Sequence, residues 1–212
     1  MNADDNANPL LELSGLPRFD AIRAEHVTPA VDQLVAAARS AIEAVAAEPR
    51  PATWDTVAEP LAEALDRLER AWGAAAHLNA VVSTPALRDA YHASLPRITA
   101  FYTDLAQDLR LFDRYRELAS SPSFASLDVA RRKAVTNELR DFRLGGAELP
   151  AAEKARLKAV EEELAELAAR FDDNVLDATN DWALCVGDES ELAGVPSEVL
   201  AEARSAAAAA ST

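Results

Sequence analysis

Among its 212 residues the chain has one cysteine, three histidines and six glycines. It has no excess of basic residues and no long apolar run. The lone Cys185 excludes an internal disulfide. Six glycines, three tryptophans, three tyrosines and six phenylalanines are too few for a turn-dense sheet protein, and they leave long helices as the expected element. No stretch approaches the roughly twenty apolar residues that cross a bilayer. With 36 acidic against 21 basic side chains the formal net charge is −15, a field that repels nucleic acid and anionic lipid. The densest basic cluster, Arg131-Arg132-Lys133, is flanked by helical sequence and reads as a solvated helix face. The opening MNADDNANP has neither the basic nor the apolar part of a secretory signal, so a cytoplasmic location is expected.

What is present is alanine-rich sequence with apolar residues at helical spacing, half of all residues being apolar. Thr28-Pro29 reads as a helix start, with Val31, Leu34, Val35, Ala38, Ile42 and Val45 on one face and a stop at Glu48-Pro49-Arg50-Pro51. A second helix starts near Thr53-Trp54 and presents Val57, Leu61, Leu65, Leu68 and Trp72, with Pro60 expected to kink or divide it. Ser83-Thr84-Pro85 repeats the start signal. The next apolar face runs Leu87, Tyr91, Leu95, Ile98, Phe101/Tyr102, Leu105, Leu109 and Phe112, interrupted by Pro96. Prolines within long helices are expected to bend them, and bent helices suit a curved wall.

After a break at Ser120-Ser121-Pro122-Ser123, a helix over about 127–143 ends at Gly145-Gly146, where a left-handed residue is wanted. From Leu149-Pro150 onward comes the most regular stripe: Leu157, Val160, Leu164, Leu167, Phe171 and Val175, spaced to face another helix. Glu161, Glu162, Glu163 and Glu166 form its solvated side. The period then changes, and Trp182 to Gly187 reads as one short strand, which needs a partner to be stable. From Pro196 a last helix starts and runs into low-complexity alanine. The fold expected is all-α, a multi-helix array with kinked long helices and one short strand near 182–187. Its segments are expected to be an extended amino-terminal piece over 1–27, a helical domain over 28–181 and a strand-helix junction over 182–212.

No complete active site can be assembled from these residues. A helical zinc hydrolase needs two histidines one turn apart with a glutamate between them, and none of His26, His77 and His92 stands four residues from another. His77 reads as a packed or partly buried helix histidine. Asp173, Asp177 and Asp181 fall at four-residue intervals, but they lack the central glycine and closing glutamate of a calcium loop, and like charges at that spacing repel. They read as a solvated last turn. Cys185 lies in an apolar segment, where a thiol is inert packing. Gly145-Gly146 has no following Lys-Ser/Thr, so no phosphate loop is present. Catalytic and metal residues are therefore none.

Four segments carry a resemblance: NPLLELSGLPRFDAIRAEHVTPAV, RAWGAAAHLNAVVSTPALRDAYHASLP, RKAVTNELRDFRLGGAELPAAEKARL and FDDNVLDATNDWALCVGDESELAGVP. In order, and over nearly the whole chain, they resemble the amino-terminal region of the thimet-oligopeptidase-like M3 zinc metallopeptidases. The HExxH helix and further glutamate of that family are not in this sequence, so no ligand or catalytic residue carries over. The resemblance implies a helical wall of a channel that admits short peptides, with zinc expected in the intact enzyme and the catalytic domain as the missing partner. It also implies that Asn180, Trp182, Leu184 and Val186 lie at a junction toward that domain. Self-association through the unpaired strand is a further expectation. A stand-alone helical interaction module without enzymatic activity is the alternative.

Overall fold

The structure is a computed structural model and describes residues 8–12 and 14–210. The backbone divides into two compact units, Met1–Ala169 and Arg170–Thr212. The described residues are helical or irregular, and no strand occurs among them.

The first unit begins with a 3-10 turn, Pro9–Leu11, whose cap Asn8 accepts from the Leu10 amide and donates to the His26 carbonyl at 2.8 Å. Helix α1, Ala24–Ala47, starts one turn earlier than Thr28-Pro29 indicates. His26 Nδ1 accepts the Arg23 amide at 3.0 Å, which secures the first turn. Thr28 is thereby released from capping, and its hydroxyl meets that of the fully buried Ser94 at 3.2 Å. The predicted face of α1 is buried, with Val35 only partly so.

Thr53 caps the next segment as expected, its hydroxyl accepting the Thr56 amide. A single π turn, Trp54–Ala58, then leads into α2, Glu59–Val81. Pro60 has no amide to give the helical ladder, and the wider turn ahead of it accommodates the missing donor. Helix α2 closes with Ser83 in the left-handed region (φ 44°), its amide reaching back to the Leu78 carbonyl at 3.2 Å. Thr84 caps α3, Pro85–Ala106, with Pro85 in its first turn.

The third predicted stretch does not run on to Phe112. It breaks at Gln107, and Asp108 caps a separate helix α4, Leu109–Ser120, by accepting the Arg110 and Leu111 amides. Leu105, Leu109 and Phe112 keep helical spacing across the break, which conceals it. A short α5, Pro122–Ser126, follows. Helix α6, Val129–Leu144, is capped by Asp128, and Gly146 adopts the left-handed conformation (φ 91°) beyond its end. Gly145 stays right-handed (φ −75°).

Helices α1, α2 and α3 pack on one another, and α4 joins them through α1 and α6. Their shared core includes Val31, Leu68, Phe101, Phe112 and Val135 at 1% exposure or less. Trp72 and Tyr91 stack across α2 and α3 with ring centroids 4.7 Å apart.

The last helix of the first unit, α7, spans Ala151–Asp181 and so extends past Ala169. In the second unit, Asp188 caps a 3-10 turn at Glu189–Leu192, and α8, Ser197–Ala210, follows. Helix α8 begins one residue after Pro196, and its described side chains are exposed apart from a half-buried Leu200. The strand expected over 182–187 is absent: Trp182–Val186 is irregular backbone. Its apolar alternation meets no neighbouring strand among the described residues, and a lone strand gains no ladder hydrogen bonds.

Candidate functional site

The residues singled out in the sequence do not converge. His26 serves the start of α1, and His92 is half-buried with its ring edge toward Tyr91. His77 is exposed rather than packed or partly buried, with one ring contact to Phe19 at 5.4 Å. Asp173 is half-buried while Asp177 and Asp181 are exposed on the last turns of α7. Cys185 is exposed, which corrects its reading as inert packing, because the segment around it is uncovered. Among the described residues no three His, Cys, Asp or Glu side chains are grouped so as to hold a metal ion. The zinc that the resemblance implies therefore has no fit to these residues.

The basic cluster is used locally. Arg131 sits over the Trp54 ring at 5.0 Å and near the Asp128 carboxylate at 3.8 Å. Arg132 donates to the Leu127 carbonyl, and Lys133 stays exposed. Both arginines thus hold the start of α6.

Helix α7 is tethered at its beginning. Lys154 Nζ donates to the Gln107 carbonyl at 2.8 Å, and the Gln107 side chain donates back to the Lys154 carbonyl at 3.2 Å. One turn on, Lys158 reaches Asp104 at 2.7 Å, and Arg39 approaches the other oxygen of that carboxylate at 2.9 Å. Burial pushes the Asp104 carboxyl up, but hydrogen bonds and charge from Lys158 and Arg39 outweigh it and hold the group below the usual carboxylate range.

Beyond this tether the stripe is not covered. Leu157 is half-buried, but Val160, Leu164, Leu167, Phe171 and Val175 are exposed, Leu164 to 57% and Phe171 to 67%. The spacing gave the apolar face correctly, and its expected helical partner does not lie among the described residues. Glu161, Glu162, Glu163 and Glu166 are exposed as predicted. For a leucine this open, Leu164→Ala is expected to lower unfolding free energy by under about 1 kcal/mol in this chain, against about 2–5 kcal/mol for a buried leucine. Chemical denaturation measures the difference. Farther along, Asn180 lies in the last turn of α7, Trp182 and Leu184 are 72% and 70% exposed, and Val186 is half-buried.

Sequence reasoning missed a second feature, a cavity of about 310 Å³ bounded by α2, α3, α4 and α6. Leu61, Leu65, Leu105 and Phe142 give it apolar walls, and Tyr102, Tyr115, Glu138 and Asp141 also line it. Burial, with the Glu69 carboxylate adding, pushes the Tyr102 hydroxyl up to about 12. Desolvation raises the Glu138 carboxyl, and the carboxylates of Asp141 and Glu69 raise it further, although the residue as a whole is exposed. These groups come from four separate helices, so no linear motif marks them.

The described residues thus form a tethered helical array whose last long helix carries an uncovered apolar face. The chain belongs to the neurolysin/thimet oligopeptidase family: the family described as "Neurolysin/Thimet oligopeptidase, N-terminal domain" matches residues 31–154. It is 43% identical over 200 residues to "Oligopeptidase A" of Salmonella typhimurium, covering 94% of this chain and 29% of that protein. To "Oligopeptidase A" of Haemophilus influenzae it is 40% identical over 201 residues, covering 95% and 29%. "Dipeptidyl carboxypeptidase" of Salmonella typhimurium is 30% identical over 206 residues, covering 95% and 30%. The chain thus spans less than a third of the length of these relatives, and it corresponds to the N-terminal region of an M3 oligopeptidase.

Proposed function

We propose that this chain is the non-catalytic amino-terminal part of a cytoplasmic zinc oligopeptidase, where it encloses short peptide substrates while the zinc site is contributed by a region outside these 212 residues. The observation that carries the reading is the uncovered ladder Val160, Leu164, Leu167, Phe171 and Val175. Five apolar side chains on one regular helix face form a surface built to be buried. The relatives' greater length supports a further region as its cover. No helix among the described residues is long and apolar enough to cross a membrane.

A chimera tests this reading. The chain is grafted in place of the matched region of the Salmonella typhimurium relative, beside the 212-residue chain alone. The chimera is expected to hydrolyse short peptides, and the isolated chain to show neither peptide hydrolysis nor stoichiometric zinc by elemental analysis. Paired Leu164→Asp and Phe171→Asp substitutions are expected to abolish the chimera's activity. Chelator-sensitive hydrolysis by the chain alone, or a folded but inactive chimera, overturns the proposal.

The alternative, a stand-alone interaction module, draws support from the core enclosed within residues 10–147. In that reading the ladder receives a partner protein or a second copy. The net charge of −15 opposes pairing of copies, so self-association would strengthen with salt, which sedimentation measures. The strand edge no longer contributes to it.

A further inference from the structure

The geometry points to α7 as a charge-held arm: Lys154 and Lys158 clasp its first turns to the end of α3, and screening by salt opens the clasp while the helical body stays folded. All the groups involved lie within the first unit, so the device does not depend on a peptidase role.

Helix α7 rests on the body without joining its core. None of its side chains belongs to the shared core or packs on it, and its one buried residue, Ala169, lies outside that cluster. Leu157, with Leu149, flanks the buried Gly146, and the other contacts of the first turns are polar. Three features assign the hold to charge. Helix α3 has no basic residue in its last turn, where unsatisfied carbonyls carry partial negative charge, and Lys154 supplies the cation by donating to the Gln107 carbonyl. Lys154 also lies in the first turn of α7, the end at which a helix's own dipole disfavours a cation, so its charge is favourably placed only when α7 is docked on α3. One turn on, Asp104 takes Lys158 on one oxygen and Arg39 on the other, so that α7, α3 and α1 meet at a single carboxylate.

These side chains are open to solvent, Lys158 to 36%, Asp104 to 39% and Arg39 to 50%, so salt and water reach the clasp. Exposed pairs are individually weak, and a segment held by them, with few buried apolar contacts, opens at a lower free energy than a packed core. The pivot lies just before α7. Ala147 is buried and its amide donates to the Phe142 carbonyl at 2.9 Å, which fixes the end of α6, whereas residues 148–150 are exposed or half-buried. Release of Lys154 and Lys158 therefore swings α7, and with it Val160, Leu164 and Leu167, without breaking the contacts among α1, α2, α3, α4 and α6.

The test reads the distance between body and arm. Spin labels are placed at the exposed positions Ala37→Cys on α1 and Glu162→Cys on α7, in a Cys185→Ser background of the 212-residue chain. Dilution with unlabelled chain leaves only distances within one copy. Between about 0.05 M and about 1 M salt the screening length falls to about 3 Å, and the ratio of displaced to docked arms should rise at least about threefold. Asp104→Asn and Lys158→Gln should each give that higher ratio already at low salt, and Lys158→Arg, which keeps the charge, should not. Ring resonances of the stacked Trp72 and Tyr91 report the body and should stay unchanged throughout. A ratio unmoved by salt or by Asp104→Asn overturns the proposal, as does Lys158→Arg behaving like Lys158→Gln. Displacement that comes only with loss of the Trp72 and Tyr91 resonances also overturns it, because the arm then leaves by unfolding of the body.

Discussion

Alanine at Phe112 is expected to remove about 3–5 kcal/mol of unfolding free energy, a large fraction of what a domain of this kind possesses. The side chain is fully buried, and its ring centroid lies 6.0 Å from that of Phe142, so it joins α4 to α6. The guanidinium carbons of Arg116 and Arg143 each stand 5.6 Å from the ring centroid. Truncation thus leaves a cavity and removes two cation-ring contacts. The expected signature is a lowered urea midpoint with an unchanged slope. Leucine at the same position should recover much of the loss, because it refills volume without restoring the ring. A loss under about 1 kcal/mol for the alanine variant would show that the two helices do not depend on this contact.

The second large effect is expected at Gly145, for which alanine should cost about 1–3 kcal/mol. The reason is not backbone conformation, since φ is −75° and suits any residue. A Cβ there would stand 2.5 Å from the Ala106 Cβ and 3.3 Å from the Ala106 carbonyl oxygen, so the end of α6 would have to move off the end of α3. Its neighbour differs: Gly146 has φ 91°, and an added Cβ would meet the flexible ends of Leu149 and Leu157. The two glycines are thus needed for different reasons. The double variant Gly145→Ala with Ala106→Gly separates them. Coupling between the two sites should recover roughly 0.5–3 kcal/mol relative to the sum of the single variants. Strict additivity would rule out the proposed collision.

These positions also show what the sequence could and could not disclose. The helix starts at Thr53 and Thr84 were legible because cap and following residues act within one turn. Thr28-Pro29 carried the same signal and misled, because the half-buried His26 performed that task upstream and Thr28 turned to Ser94 on α3. The break at Gln107 was hidden by apolar residues that kept their spacing on both sides. Periodicity identified the apolar face of α7, but spacing states only that a face is apolar. Whether its cover lies in the same chain is a property of tertiary structure. The expected strand failed for a related reason, since alternation over 182–187 is a local pattern and a strand is a pairing. The cavity was out of reach altogether, because Leu61, Tyr102, Tyr115 and Glu138 meet only after four helices pack.

The exposure of Cys185 has a practical consequence. It is the only cysteine in the chain, and it lies in the irregular segment that follows α7. A maleimide dye or spin label will therefore attach at a single position of the 212-residue chain, three residues beyond the exposed Trp182. The 212-residue chain carries its own site-specific handle directly beyond the end of α7, where a label reports on the exposed segment itself.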